Sequence, residues 1–270
     1  MYLAEAIPTV LLGLLTFLYM TDKPDQARWL TSDERSWLIG RLQFERQAKD
    51  AARRFGFWEA LVNPTVLLLS LNYFGIVVAS LGVLLFVPQM IKSLGTLTNF
   101  EVGLVTMIPY IMGGIAMVVW GRISDRMDER RWNLFWACTL STVGLVLAGW
   151  TMGTWWAVVG VTIATMGFYG SKGPFWSMPP MFLTGTAAAG TIAWINSIGN
   201  LGGFFGPWWV GFMKDATGSF AGGLYGLALL CFVAAAVCAL FLYIPNRMAE
   251  RDESRERAEA PISPQLAPRA

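Results

Sequence analysis

Seven apolar stretches separated by polar segments set the pattern of the chain: residues 2–20, 66–88, 102–120, 134–150, 155–179, 187–212 and 223–244. Each is long enough, at about 20 residues, to cross a hydrocarbon core as a helix. None shows the two-residue alternation of a barrel strand, and backbone polar groups cannot go unpaired in lipid, so the pattern predicts an all-α integral membrane protein of seven transmembrane helices. One long polar segment, residues 21–63, separates the first span from the other six. This divides the chain into a single helix (1–20), a connector (21–63), a six-helix transmembrane half (64–245) and a charged, then alanine- and proline-rich tail (246–270) expected to be disordered. Met1 runs into an apolar stretch without the basic region of a signal peptide. An odd span followed by six is how a transporter built from two repeated halves would look if its first five helices were absent.

Within the connector, Thr31 and Glu34 form a T-x-x-E capping pattern, and Trp37, Leu38 and Leu42 share the face of the helix that follows. That helix reads as a solvated linker or as one lying on the membrane surface. Charge placement sets the orientation. If seven spans alternate, all 20 Lys and Arg residues except Lys92, Lys172 and Lys214 fall on one side. The positive-inside rule puts that side, with the connector and the carboxyl-terminal tail, in the cytoplasm.

Composition narrows the class further. At 55 % hydrophobic and 14 % charged residues, the chain lies far from a soluble domain. Cys138, Cys231 and Cys238 sit in apolar runs without metal-ligand spacing and read as small core residues. No histidine occurs, and GxSxG, HExxH and P-loop patterns are missing, so neither an intramembrane enzyme nor a metal or cofactor site is expected. Nor does the sequence suggest a nucleic-acid partner.

Candidate chemistry concentrates in residues 167–209, which are apolar and glycine-rich yet carry Lys172, Asn196 and Asn200. A central lysine costs about 2.5–3.5 kcal/mol on insertion scales, so Lys172 is expected to face a partner, a water-filled cavity or an anion. Asn196 and Asn200, four apart, share a helical face and could orient a carboxylate; they could equally bond a neighbouring helix. Gly199/Gly203 and Gly202/Gly206 have the small-xxx-small spacing of close helix packing. Pro174, Pro179 and Pro180 are expected to break the fifth span and Pro207 the sixth. Asn72, Tyr73 and Tyr110 add polar atoms that either line the pathway or are satisfied in the bundle. Phe175, Trp176, Trp208 and Trp209 would line a cavity or sit at the interface belt. Glu5 and Glu101, at the outer span ends, are the acidic candidates for ion coupling.

The segment Gly121–Arg131, GRISDRMDERR, reads as a short cytoplasmic turn, and its G-x-x-x-D-R-x-x-x-R-R pattern resembles the loop motif of the major facilitator superfamily. Gly121 would allow close helix approach, Asp125 would accept from a helix N-terminus, and Arg126, Arg130 and Arg131 would pair across the cytoplasmic face; simple positive-inside anchoring is the alternative. Further pieces resemble the anion:cation symporter family, which includes phthalate, tartrate and galactonate permeases. These are Glu5-Ala-Ile-Pro8, Asp22-Lys-Pro24, Trp29-Leu-Thr31 with Glu34-Arg35, Pro109-Tyr110, Gly173-Pro-Phe-Trp176, Phe182 to Ala187 and Asn196 to Pro207. The resemblance implies a bacterial inner-membrane symporter that takes up a small organic anion, such as a carboxylate or sugar acid, with a proton or cation by alternating access. In that reading the chain is the carboxyl-terminal half plus the sixth helix, and its partners are the bilayer and the amino-terminal half. Lys172, Asn196, Asn200, Asn72, Tyr73 and Trp176 would contact substrate, and Gly121, Asp125, Arg126, Arg130 and Arg131 would form a gating loop. The alternative is a truncated, non-transporting half that serves only in assembly.

Overall fold

A computed structural model describes residues 2–21, 23–27, 29–51, 58, 61–182 and 185–240. The expected disorder of the tail lies outside the described residues. The chain divides into two compact units, Met1–Arg54 and Phe55–Ala270.

The first unit holds α1 (Tyr2–Tyr19) and α2 (Ser32–Ala51), with a short 3-10 turn at Pro24–Gln26. The capping pattern forms as expected. The Thr31 backbone N–H and hydroxyl both donate to the Glu34 carboxylate, at 3.0 and 2.8 Å, and the Glu34 N–H returns a 3.4 Å bond to the Thr31 hydroxyl. Arg35 ties the preceding turn to α2 by donating to the Ala27 and Leu30 carbonyls at 2.8 and 3.3 Å. The shared face is not buried: Trp37 is 70 % exposed. The bonds from Thr31 hold the Glu34 carboxyl below its usual range. A depressed carboxylate stabilises above its unfolded pKa and loses that contribution as pH falls through the folded value. Hydrogen exchange of the first turn of α2, corrected for intrinsic rates, is therefore expected to stay slow at neutral pH and to quicken only below the ordinary glutamate range; in Glu34→Gln this pH step should vanish.

The second unit contains α3 (Pro64–Leu84), α4 (Val87–Lys92), α5 (Asn99–Met127), α6 (Arg131–Trp150), α7 (Trp155–Gly170), α8 (Lys172–Ser177), α9 (Pro179–Phe182), α10 (Gly185–Thr217) and α11 (Ala221–Leu240). Asn63 caps α3 by accepting from Thr65 N–H, with Pro64 in the first turn. Among the described residues four helices are long and apolar enough to cross a membrane: α3 with α4, α5, α6 and α11. α10 is longer still, at 33 residues, but Asn196, Asn200 and its glycines dilute its hydropathy.

Close seams fix the packing. α10 lies along α3, α6 along α7, and α11 against α6 and α3, while α5 packs on α7. On the first seam a Cβ at Gly206 would strike the Val78 carbonyl oxygen and come within 2.9 Å of Gly82 N, and one at Gly202 would come within 2.8 Å of Val78 N. The second seam repeats the device, with Gly160 facing the Ala148 backbone and Gly144 the Gly160 carbonyl at 2.7 Å. The expected small-xxx-small contact of Gly202 and Gly206 is thus present, and backbone approaches backbone.

Two expectations about helix ends need correcting. α10 runs through Pro207 to Thr217 without a break; a proline removes one N–H and crowds the carbonyl four residues back, and that carbonyl belongs to Gly203, which has no side chain to add to the crowding. α5 continues seven residues past the expected limit at Trp120, ending at Met127 with Asp128 in the left-handed region at φ 48°. Most of the presumed turn is therefore helix. The fifth span behaves as expected near its prolines: α7 stops at Gly170, four residues before Pro174, and α8 and α9 continue as short pieces.

Candidate functional site

In the second unit α3, α8 and α10 surround a pocket of about 140 Å³. Its α3 wall is Tyr73, Ile76, Val77, Ser80 and Leu81, whose 0, 3, 4, 7, 8 spacing marks one face of a helix. Ser171, Lys172 and Phe175 come from the start of α8, and Asn200 from α10. Among the described residues that line it, none is acidic.

Lys172, Tyr73 and Asn200 thus line one pocket. The Lys172 ammonium lies 4.4 Å from the centroid of the Tyr169 ring, one turn earlier in the chain. A cation over a ring face is attracted by the ring quadrupole yet keeps its full charge. Asn200 Nδ2 donates to Asn196 Oδ1 at 3.2 Å, so Asn196 joins the site by holding Asn200 rather than by lining the pocket. The Tyr73 ring stacks on Phe175 with centroids 4.9 Å apart and meets the edge of Trp176 at 5.0 Å. Tyr73 occupies the space left by Gly199, where a Cβ would collide with its ring.

Asn72 is placed elsewhere, because successive helix positions diverge by about 100°. It is fully buried, and its Nδ2 donates to the Ala234 carbonyl at 2.8 Å and to Cys238 Sγ at 3.1 Å. It bonds α3 to α11 and does not line the pocket. Trp209 likewise donates to the Gly223 carbonyl at 3.2 Å, and exposed Trp208 stacks on Phe212. Tyr110 reaches the Leu84 carbonyl at 3.5 Å and lines a separate, open groove beside α4. Glu101 is engaged in a second capping box with Thr98 at the start of α5. The side chain of Glu5 lies outside the described residues. Among the described residues no cluster of His, Cys, Asp or Glu could hold a metal ion.

Sequence reasoning missed Ser80, Ser171 and Tyr169. Each had a spacing to find it by: Ser80 lies seven residues after Tyr73 on the same face, and Tyr169 and Ser171 lie three and one before Lys172.

At the other motif, Asp125 pairs with Arg130 at 2.7 Å instead of accepting from a helix N-terminus. Arg130 also donates to the buried Ser124 hydroxyl at 2.9 Å, and Ser124 in turn donates to the Glu129 carbonyl at 3.0 Å. Arg131 reaches across to α11, donating from Nε to the Cys238 carbonyl at 2.8 Å and from a second nitrogen to the Ala239 carbonyl. Arg126 is exposed, and a Cβ on Gly121 would meet open space, so close approach does not require glycine there. Gly173 comes near, its would-be Cβ lying 3.4 Å from Gly121 Cα.

A glycine-seamed bundle of apolar helices around a cationic pocket is the build of a multi-pass membrane transporter. The Major Facilitator Superfamily profile matches residues 1–207, and the chain belongs to that family. It is 44 % identical over 237 residues to a protein of Agrobacterium vitis named a putative tartrate transporter, covering 88 % of this chain and 54 % of the relative. It is 34 % identical over 230 residues to the quinolone resistance transporter of Acinetobacter baumannii, covering 85 % of this chain and 53 % of that protein. With the inner membrane transport protein RhmT of Escherichia coli (strain K12) it shares 34 % identity over 208 residues, 77 % and 48 % of the two lengths. The chain spans about half the length of these curated relatives.

Proposed function

We propose that the chain is the carboxyl-terminal half of an anion:cation symporter, a secondary transporter that takes up a small carboxylate or sugar acid with a proton or cation by alternating access. One observation carries the reading: Lys172, Asn200 and Tyr73 converge on a pocket that no acidic residue among those described lines. The ammonium supplies charge, and the amide and phenol supply directional hydrogen bonds, as an anion requires. The relatives named putative tartrate transporters support a carboxylate substrate. The exposed Asn196–Asn200 face would be completed by the amino-terminal half.

The connector and the Asp125–Arg131 segment would face the cytoplasm. Supporting this side assignment, Lys92 and Lys214 lie together at the end of the second unit opposite the Asp125–Arg131 segment, where Lys92 bonds Asn99 at 3.1 Å and Lys214 bonds Gln89 at 3.4 Å. By tying α6 to α11, Arg131 would keep these two helices moving as one piece.

Uptake of labelled carboxylates into vesicles tests the reading, with the 270-residue chain alone compared with a version extended upstream to twelve spans. Accumulation by the extended version alone is expected. If neither version accumulates any carboxylate, the transport reading fails and the assembly-only alternative takes its place.

A further inference from the structure

The hydrogen-bonding inventory of the pocket goes beyond its charge. A serine hydroxyl has one proton to donate and lone pairs to accept with. Ser171, 1 % exposed, gives its proton to the Phe168 carbonyl at 2.8 Å, and Ser80 directs its own to the Val77 carbonyl at 3.3 Å. With both protons engaged in their own helices, these oxygens offer the pocket only acceptors. Asn200 has one N–H engaged with Asn196, which leaves its other N–H and its own oxygen.

A bare carboxylate matches half of this set. It accepts from Lys172, Asn200 and Tyr73, but its oxygens gain nothing from Ser80 and Ser171 and would face lone pair to lone pair. A hydroxyl near the carboxylate completes the match by donating to a serine oxygen. A ligand without that hydroxyl leaves a desolvated acceptor unpaired, which costs more than a missing contact.

We infer that Ser80 and Ser171 read a substrate hydroxyl, so that the pocket prefers hydroxy carboxylates to the matched carboxylates that lack one. This rests on the transport reading above.

The test is initial uptake by the full-length carrier in proteoliposomes, using tartrate, malate and succinate, which share one four-carbon dicarboxylate skeleton and carry two, one and no hydroxyls. The expected result is at least a tenfold higher kcat/KM for malate than for succinate. Ser80→Ala, and Ser80→Ala with Ser171→Ala, should bring that ratio towards one by raising the KM for malate and lowering the KM for succinate, because the acceptors that succinate leaves unpaired are gone. A merely structural role would slow all three substrates alike and would overturn the inference, as would equal handling of malate and succinate by the unaltered carrier. Should none of the three accumulate, the transport reading fails and this inference with it. Accumulation of all three with the malate preference intact in both serine variants would overturn the inference alone.

Discussion

Gly206→Val is expected to destabilise the second unit by about 1–3 kcal/mol or more, the usual range for overpacking a close-packed core. The lower end applies where side chains can yield. Here the added Cβ would meet the Val78 carbonyl oxygen and Gly82 N, which are backbone atoms of α3 and can yield only by separating the helices. Gly103 supplies the opposite case. Its Cβ would meet open space in the exposed first turns of α5, so Gly103→Ala should raise stability by about 0.5–1 kcal/mol, the helix cost of glycine relative to alanine. Thermal unfolding in detergent measures both. Equal melting of Gly206→Val and the unaltered protein would mean that the seam between α3 and α10 is looser than described.

Lys172→Ala should abolish anion accumulation by the full-length carrier while leaving its membrane insertion intact. A hydrogen bond to a charged group contributes about 1.5–3 kcal/mol, or roughly 10- to 150-fold in affinity at 1.4 kcal/mol per decade. Insertion is spared because the ammonium rests on the Tyr169 ring and has no role in either glycine seam. Lys172→Arg should recover part of the uptake, since it keeps the charge but not the point geometry of an ammonium. Unchanged uptake in Lys172→Ala, measured at equal amounts of inserted protein, would remove the lysine from the pathway.

Much of the fold could be read from hydropathy, because lipid leaves the backbone few options and apolar runs become helices. Helix ends were harder. Pro207 signals a break in sequence, but α10 accommodates it because Gly203 stands one turn earlier. Trp120 ended the apolar run without ending α5, since a helix that leaves the hydrocarbon can continue with charged residues until a left-handed cap such as Asp128 stops it. In the site, Lys172 was conspicuous because an intramembrane cation is rare, and Asn200 because it lies on a glycine-lined face. Asn72 and Tyr73 are neighbours in sequence but face different helices, a distinction that needs the position of α11. Ser80 and Ser171 had a spacing to mark them but passed unremarked because serine is common in membrane helices, and only the direction of each hydroxyl gives it meaning.

Lys172 is balanced by an aromatic face, and a ring quadrupole cancels no charge. Among the described residues Lys172 is the one charged side chain lining the pocket, so a single carboxylate group there would match it one to one. Across a membrane holding 100 mV, moving one elementary charge through the full potential is worth about 2.3 kcal/mol. In the symporter proposed above, reorientation of the unloaded site would be the voltage-dependent leg of the cycle, and this half would add no net charge to the step that carries a lone carboxylate group.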